Sequence, residues 1–233
     1  MVVNDVKGAY IGYYADANDL DDGSTWVNIG YLNNADDLTW KNKVGNLTGN
    51  ASGANSIVWH TPDLGALGAW MDGTDTWVSI GGGYDSNWTL IGCGDFDGDG
   101  ADSVVMSYNS GEKYYAVNLD STASELALSD SGWEVRAIGD FSGDGIDDIV
   151  AFHAETGLVA MWGDGDSAKW SQLGQLDAKD WFVVGAEDYD GDAQDDLLVR
   201  QNSTGMLGYY SSANMENWNT LGYGVDMSWT VIA

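Results

Sequence analysis

The chain has 233 residues, of which 37 are Asp or Glu and 8 are Lys or Arg, so its formal net charge is −29. Such an acidic surface argues against binding to DNA or RNA phosphates, which depends on Lys and Arg. With 44% hydrophobic residues the chain can bury a core, but it has no apolar run long enough for a membrane span and only one Cys, which excludes an internal disulfide.

The first residues, 1–8, contain neither a basic leader nor a long apolar run, so no signal peptide is expected in this chain. They match a later segment, SVVMSYNSG from Ser103, which is a strand-like run followed by a turn. Two further strand-like runs follow, AYIGYY (9–14) and WVNIG (26–30). This order indicates that the chain begins at the second strand of a repeating unit.

Trp residues mark the repeat, because Trp40, Trp88, Trp133, Trp181 and Trp229 are separated by 48, 45, 48 and 48 residues. Each opens a first strand, and the units between them continue with a polar or acidic loop, a second apolar run, a turn with Gly and a third run. A fourth run follows and usually begins with Trp. Four short strands in a period of this length predict a β-propeller.

The two chain ends complement each other, since residues 229–233 supply only the first strand of a unit. We therefore predict an all-β, single-domain protein over residues 1–233, with five blades of four strands. The first blade would combine residues 1–30 with residues 229–233. Pairing of the C-terminal strand with the N-terminal strands would close the ring and remove an exposed sheet edge.

Three related acidic loops join first and second strands, at residues 95–103 (DFDGDGADS), 140–148 (DFSGDGIDD) and 188–196 (DYDGDAQDD). Oxygen-bearing side chains stand at loop positions 1, 3, 5 and 9, with Gly at position 4. Ca²⁺ takes six to eight oxygen ligands, and carboxylates this close repel one another without a cation. The opening resembles an EF-hand, but position 12 is not Glu and the flanks are strands rather than helices.

These loops predict about three Ca²⁺ sites, while Asx turns without metal are the alternative. The corresponding loop at residues 46–56 has neutral Asn46, Thr48 and Asn50, so it should bind weakly or not at all. The predicted ligands are the side chains of Asp95, Asp97, Asp99, Asp140, Ser142, Asp144, Asp148, Asp188, Asp190, Asp192 and Asp196, the carbonyl groups of Ala101, Ile146 and Gln194, and more weakly Ser103.

The repeated Trp, the GDFDGDGAD motif, the apolar run, the turn with Gly and the small-aromatic strand together resemble the FG-GAP/VCBS-type repeat. That repeat occurs in integrin α-subunit propellers and in many bacterial secreted or surface proteins. The resemblance spans essentially the whole chain and implies a propeller with Ca²⁺ in the loop between the first and second strands of a blade. Departures are Ser103 at a usually acidic position, Ala193 in place of Gly, and the neutral loop at Asn46.

Aromatic residues near one position of the third strands are a second candidate site, because aromatic rings stack on sugar faces. Packing between blades is the alternative interpretation of these rings and of the repeated Trp residues. Cys93, His60 and His153 have no sequence-level partner, which favours structural roles. The candidate ligand-binding residues are Tyr14, Trp70, Trp162 and Tyr210.

The main hypothesis is a calcium-stabilised, non-catalytic recognition or adhesion module of a bacterial extracellular or cell-surface protein. Its ligand would be a carbohydrate or a surface protein. Millimolar calcium outside cells suits weak loops of this kind. The alternatives are a carbohydrate-active enzyme, such as a glycoside hydrolase or lyase, and a structural scaffold from a larger secreted protein. A salt-adapted source would also account for the excess of Asp over Lys.

Overall fold

A computed structural model describes residues 41–50, 55–126, 128 and 132–223, together with the backbone of three N-terminal strands. The N-terminal sheet contains β1 (Val2–Asp5), β2 (Tyr10–Tyr14) and β3 (Trp26–Tyr31). Four further sheets contain four consecutive strands each. The first of them contains β4 (Lys41–Gly45), β5 (Ser56–Thr61), β6 (Ala66–Trp70) and β7 (Trp77–Gly82), and the second contains β8 (Trp88–Gly94), β9 (Ser103–Tyr108), β10 (Lys113–Val117) and β11 (Ala123–Leu126). The third contains β12 (Trp133–Gly139), β13 (Asp148–His153), β14 (Leu158–Trp162) and β15 (Trp170–Gln175). The fourth contains β16 (Trp181–Glu187), β17 (Asp196–Gln201), β18 (Met206–Tyr210) and β19 (Trp218–Gly222).

The strands of a sheet follow one another in chain order, as in the blades of a β-propeller. In β12–β15, for example, each strand pairs antiparallel with the next, and β-bulges shift the register within the first and last pairs. Within the described residues the only helices are three short 3₁₀ turns, at Gly163–Gly165, Ser167–Lys169 and Ser211–Ala213. The all-β class predicted from the repeat is therefore present.

The prediction of five four-stranded blades is wrong, because in the part of the chain that the structure describes four sheets have four strands and the N-terminal sheet has three. The segment predicted to complete that sheet, residues 229–233, lies outside the described residues. The prediction from the repeat treated the two incomplete chain ends as one complete blade. Similar sequence shows that a segment can form a strand, whereas a blade also requires that the strand be hydrogen-bonded to its neighbours.

Contacts between residues divide the chain into two compact units. The first contains residues 1–93, 100–106 and 117–123, and the second contains residues 94–99, 107–116 and 124–233. The sheets β1–β3 and β4–β7 belong to the first unit, and β12–β15 and β16–β19 belong to the second. The single domain predicted for residues 1–233 stays a prediction.

The second strand of a blade forms its buried centre. Every residue of β5 is buried, and β13 and β17 are buried except for their last residues. Their sequences are nearly continuous apolar runs, which is the pattern of strands covered on both faces. In the second unit, Phe141, Phe152, Leu197 and Val199 belong to one hydrophobic cluster. The loop between the first and second strands therefore ends where the buried second strand begins.

Aromatic residues of the third and fourth strands pack inside a blade. The ring centroids of Trp70 and Trp77 lie 4.8 Å apart, and those of Tyr210 and Trp218 lie 5.0 Å apart, both edge to face. A Cβ atom at Gly68 would overlap the Trp77 ring, so this position needs a residue without a side chain. These contacts join strands of the same sheet, whereas the sequence suggested packing between blades.

We predict that Leu197→Ala lowers the free energy of unfolding by roughly 2–5 kcal/mol, because it leaves a cavity in the core. Leu197 is fully buried. The matched control is Leu221→Ala in the same sheet, where the side chain is 52% exposed, and its effect should stay near 0.5 kcal/mol or below. Urea unfolding followed by Trp fluorescence measures both. Equal losses would contradict this account of the core.

Candidate metal centre

The three acidic loops connect β8 to β9, β12 to β13, and β16 to β17, so each begins where a first strand ends. Their tight path depends on left-handed backbone at two positions. In the third loop these are Gly191, with φ of +84°, and Ala193, with φ of +69°. Ala193 therefore has the left-handed conformation of the Gly that stands at this position in the other two loops. This conformation is sterically unfavourable for a residue with a side chain.

In the first loop, Asp95, Asp97 and Asp99 each have a carboxylate oxygen within 4.8 Å of the others. Asp95 Oδ1 accepts hydrogen bonds from the backbone N–H of Asp97 (3.2 Å) and Gly98 (2.8 Å). Asp97 Oδ1 accepts one from the N–H of Asp99 at 3.2 Å. The backbone thus turns successive carboxylates toward one point, where they could hold a metal ion.

In the third loop the group with this spacing is Asp188, Asp190 and Asp196. Asp188 accepts hydrogen bonds from the backbone N–H of Gly191 (2.7 Å) and Ala193 (3.1 Å). Asp196 is fully buried at the start of β17. Asp192, another predicted ligand, is not in this group, and its carboxylate accepts from the Gln194 N–H at 2.8 Å.

The second loop has Ser142 where the other two have Asp, and among the described residues it forms no group of three acids at this spacing. Asp140 accepts hydrogen bonds from the N–H groups of Gly143 and Gly145, at 2.7 and 2.8 Å. Asp144 accepts one from Ile146 at 3.0 Å. The loop has the same local turns but fewer charges aimed at one point.

A lysine lies beside the second loop. The Lys169 ammonium donates to the Asp164 carboxylate. This hydrogen bond raises the pKa of Lys169, and the carboxylates of Asp164, Asp144 and Asp166 add to the effect. The charge of Lys169 therefore offsets part of the negative charge that a metal ion would neutralise there.

The ninth loop residue connects each site to a second loop of the same blade. The N–H of Asp164 donates to Asp148 Oδ1 at 3.0 Å, and the N–H of Ser212 donates to Asp196 Oδ1 at 2.9 Å. Asp164 and Ser212 both have left-handed backbone in the loop between the third and fourth strands. The carboxylates of Asp148 and Asp196 are thereby held in place.

Burial disfavours the charged form of these two carboxylates. It raises the pKa of Asp148 above the usual range, and the carboxylates of Asp144 and Asp140 raise it further. Burial also raises the pKa of Asp196, with a contribution from Asp190. A bound cation would stabilise both ionised groups.

Ser103 and the predicted carbonyl ligands are not acids, so their participation in these groups stays a prediction. Ser103 Oγ donates to Asn118 Oδ1 at 2.5 Å. Ala101, Ile146 and Gln194 stand at loop position 7, and their carbonyl groups stay predicted ligands.

The neutral loop has a carboxylate that sequence reasoning missed. Thr48 Oγ1 donates to Asp72 Oδ1 at 3.0 Å, and Asn50 Nδ2 donates to Thr48 Oγ1 at 2.9 Å. Asp72 follows β6 and has the same left-handed backbone as Asp164 and Ser212. The sequence signal that could have identified Asp72 is its position in the repeat, which corresponds to that of Asp164 and Ser212. Here the hydroxyl groups of Thr48 and Ser56, rather than other acids, contact a single carboxylate.

The candidate ligand-binding aromatics are largely buried. Trp70 is 6% exposed and Trp162 is fully buried, while Tyr210 is half-buried and only the backbone of Tyr14 is described. The ring of Trp162 packs edge to face against Trp133 and Trp170, with centroids 5.2 and 6.5 Å away. The buried rings of Trp70 and Trp162 therefore give no support to sugar stacking.

Two reactive side chains also have structural surroundings. His60 is fully buried, and its Nε2 lies 2.8 Å from the carbonyl oxygen of Tyr84. Burial and the Asp102 carboxylate raise the pKa of the Cys93 thiol far above its usual range. A thiol held in its neutral form is a poor nucleophile.

No family model matches this chain, and no curated protein matches it either. Among solved structures it is similar to a chain in the crystal structure of a nidogen/laminin complex, with 13% identity, 92% of this chain and 71% of that chain covered, and a TM-score of 0.49. It is also similar to a catalytically inactive variant of virginiamycin B lyase from Staphylococcus aureus with quinupristin, with 16% identity and a TM-score of 0.48. That match covers 83% of this chain and 56% of the lyase chain.

These matches assign neither a family nor a function to the chain. The FG-GAP/VCBS resemblance therefore stays a prediction. In the described part of the chain, no helix is both long and apolar enough to cross a membrane.

We predict that Asp97→Asn has opposite effects with and without calcium. In EDTA at low salt it should raise the melting temperature, because removing one of three neighbouring charges relieves repulsion of roughly 1 kcal/mol per pair. With Ca²⁺ it should lower the melting temperature, because a ligand charge is lost. Differential scanning calorimetry in both buffers provides the test. Destabilisation of equal size in both would contradict the repulsion.

Proposed function

We propose that this protein is a calcium-stabilised, non-catalytic recognition module that acts outside the cell and binds another protein. The observation that supports it best is the pair of three-carboxylate groups, Asp95, Asp97 and Asp99 in one blade and Asp188, Asp190 and Asp196 in another. They occupy equivalent loops, so they are a repeated feature of the blade.

Calcium fits these loops better than other common metals. Their donors are oxygen atoms, whereas zinc sites usually include Cys or His. Mg²⁺ requires near-octahedral geometry and retains several waters, while Ca²⁺ accepts many oxygens in a flexible shell. Asp192 and the Gln194 carbonyl group would complete the shell of the third loop. The second loop, with Asp140, Ser142, Asp144 and Asp148, would bind more weakly because of Ser142 and the nearby Lys169.

An extracellular setting follows from the expected affinity. Because most of their carboxylates are exposed, we expect these loops to bind calcium weakly, and such sites fill only where calcium is millimolar. Metal that binds the folded protein alone then stabilises it by mass action. The acidic loops would in this way make folding depend on the extracellular environment.

Recognition is favoured over catalysis by the residues with reactive side chains. His60 and Cys93 are held in structural roles, and the prominent acids belong to the proposed metal loops. A protein ligand is favoured over a carbohydrate because Trp70 and Trp162 are buried. Trp77 and Trp170 are instead 42% and 45% exposed, and Trp is enriched in protein interfaces.

We predict that Ca²⁺ raises the melting temperature and that EDTA reverses the effect. At a hundredfold excess over Kd, each site should add about 2–3 kcal/mol to the free energy of unfolding. Mg²⁺ should stabilise the protein less. Asp97→Asn and Asp190→Asn should each remove one site in calorimetric titrations. The control Glu155→Gln removes the same charge from an exposed residue outside the loops and should leave the stoichiometry unchanged. A melting temperature insensitive to calcium would refute the proposal.

The choice of ligand requires a separate test with the calcium-loaded protein. A glycan array and a reducing-sugar release assay should both be blank if the ligand is a protein and the module is non-catalytic. Glycan binding without sugar release would contradict the protein ligand but preserve recognition. Release of reducing sugar would show that the protein is an enzyme.

A further inference from the structure

The eighth residue of each acidic loop is an Asp that is not among the predicted ligands. Asp147, in the second loop, reaches the first residue of the loop before it. Its Oδ2 accepts a hydrogen bond from the N–H of Asp95 at 2.8 Å, and its own N–H donates to the carbonyl oxygen of Asp95 at 2.7 Å. Both backbone hydrogen-bonding groups of Asp95 are therefore held by one residue of the next blade.

The same two-bond contact occurs at the other loops. Asp195 accepts from the N–H of Asp140 and donates to its carbonyl oxygen, both at 2.9 Å. Asp102 makes the equivalent bonds to Asn46, at 2.8 and 2.9 Å. The residue pairs are more than fifty positions apart in the chain. The contact therefore repeats from blade to blade.

Glycine before the first loop residue makes room for this Asp. A Cβ atom at Gly45 would lie 2.5 Å from Cys93 Cβ and 2.9 Å from Asp102 Oδ2. One at Gly94 would lie 2.6 Å from Ile138 Cγ2 and 3.0 Å from Asp147 Oδ2. A Cβ atom at Gly139 would overlap the Asp195 carboxylate. In the last blade the corresponding residue is Glu187, and no such contact to Asp188 occurs within the described residues. Each of the three observed contacts is thus preceded by a glycine.

We propose that Asp102, Asp147 and Asp195 are latch residues, which fix the first residue of the preceding loop. In the case of Asp147 and Asp195, this positions the carboxylates of Asp95 and Asp140 for calcium. This role rests on the proposed function for Asp95 and Asp140, whose carboxylates are predicted ligands. An ordered first ligand lowers the entropy lost when the metal binds. Calcium affinity at residues 95–103 would then depend on Asp147, a residue of another loop.

The latch itself does not depend on metal. Asp102 holds the neutral loop, in which Asn46, Thr48 and Asn50 stand in the ligand positions. A contact that served only to complete a metal site would have no purpose there. We therefore infer that the latch connects neighbouring blades whether or not a metal is bound, and that its effect on calcium binding is additional.

The experiment compares Asp147→Ala with the unmodified protein by NMR. In EDTA, loss of a hydrogen bond to a charged acceptor should speed amide exchange at Asp95 by about tenfold or more. In a Ca²⁺ titration, the shift of the Gly98 amide should need several-fold more calcium, while that of Gly191 in the third loop should keep its midpoint. Asp147→Asn retains an acceptor oxygen and should retain both properties.

Two controls separate the latch from general destabilisation. Asp144→Asn alters a predicted ligand in the same loop as Asp147 and should leave exchange at Asp95 unchanged. Asp102→Ala should speed exchange at Asn46 and not at Asp95. If Asp147→Ala does not fold, Asp195→Ala replaces it, with amide exchange followed at Asp140 and the calcium-dependent shift at Gly143.

Each outcome decides one claim. Unchanged exchange in the alanine variants overturns the latch. Faster exchange at Asp95 with an unchanged Gly98 midpoint overturns its positioning role. If calcium shifts neither Gly98 nor Gly191 in the unmodified protein, the proposed function fails and positioning for calcium fails with it, while exchange in EDTA still decides the latch.

Discussion

Repulsion between carboxylates held within 4.8 Å of one another is the constraint on which this structure depends. The loops bring these charges together because backbone N–H groups bind the first Asp of each loop, as Gly98 binds Asp95 and Gly191 binds Asp188. Those bonds form a turn with or without a metal. The carboxylates of each group nevertheless remain close together as negative charges, which a hard cation can neutralise.

The rest of the blade determines how rigidly that charge is held. The buried second strand begins at loop position 9, so Asp148 and Asp196 enter the interior with their carboxylates. Their partners are the left-handed residues Asp164 and Ser212, from the loop before the fourth strand. Asp72 takes this place beside the neutral loop, where hydroxyl groups supply the hydrogen bonds. One end of each of these three blades is therefore a connected pair of loops.

Features that arise from local spacing could be predicted from the sequence. The Trp period located the strands, and the alternating Asp residues located the loops in which Asp95, Asp97 and Asp99 do converge. The blade count could not be predicted, since it depends on whether two distant ends are hydrogen-bonded. The sequence predicted Asp188, Asp190, Asp192 and Asp196 as one ligand set, but not that Asp192 would stay outside the group of carboxylates within 4.8 Å. This arrangement depends on how the buried strand β17 orients its first residue.

The sequence by itself determined the all-β class, the order of strands and the chemical type of the loops, because each follows from residues a few positions apart. Only the tertiary structure decided that Trp162 is buried, that Asp72 faces Thr48, and that Asp147 holds Asp95. These contacts join different strands or different blades. Spacing along the chain does not encode them, since they form only when folded sheets bring distant backbone groups within hydrogen-bonding distance.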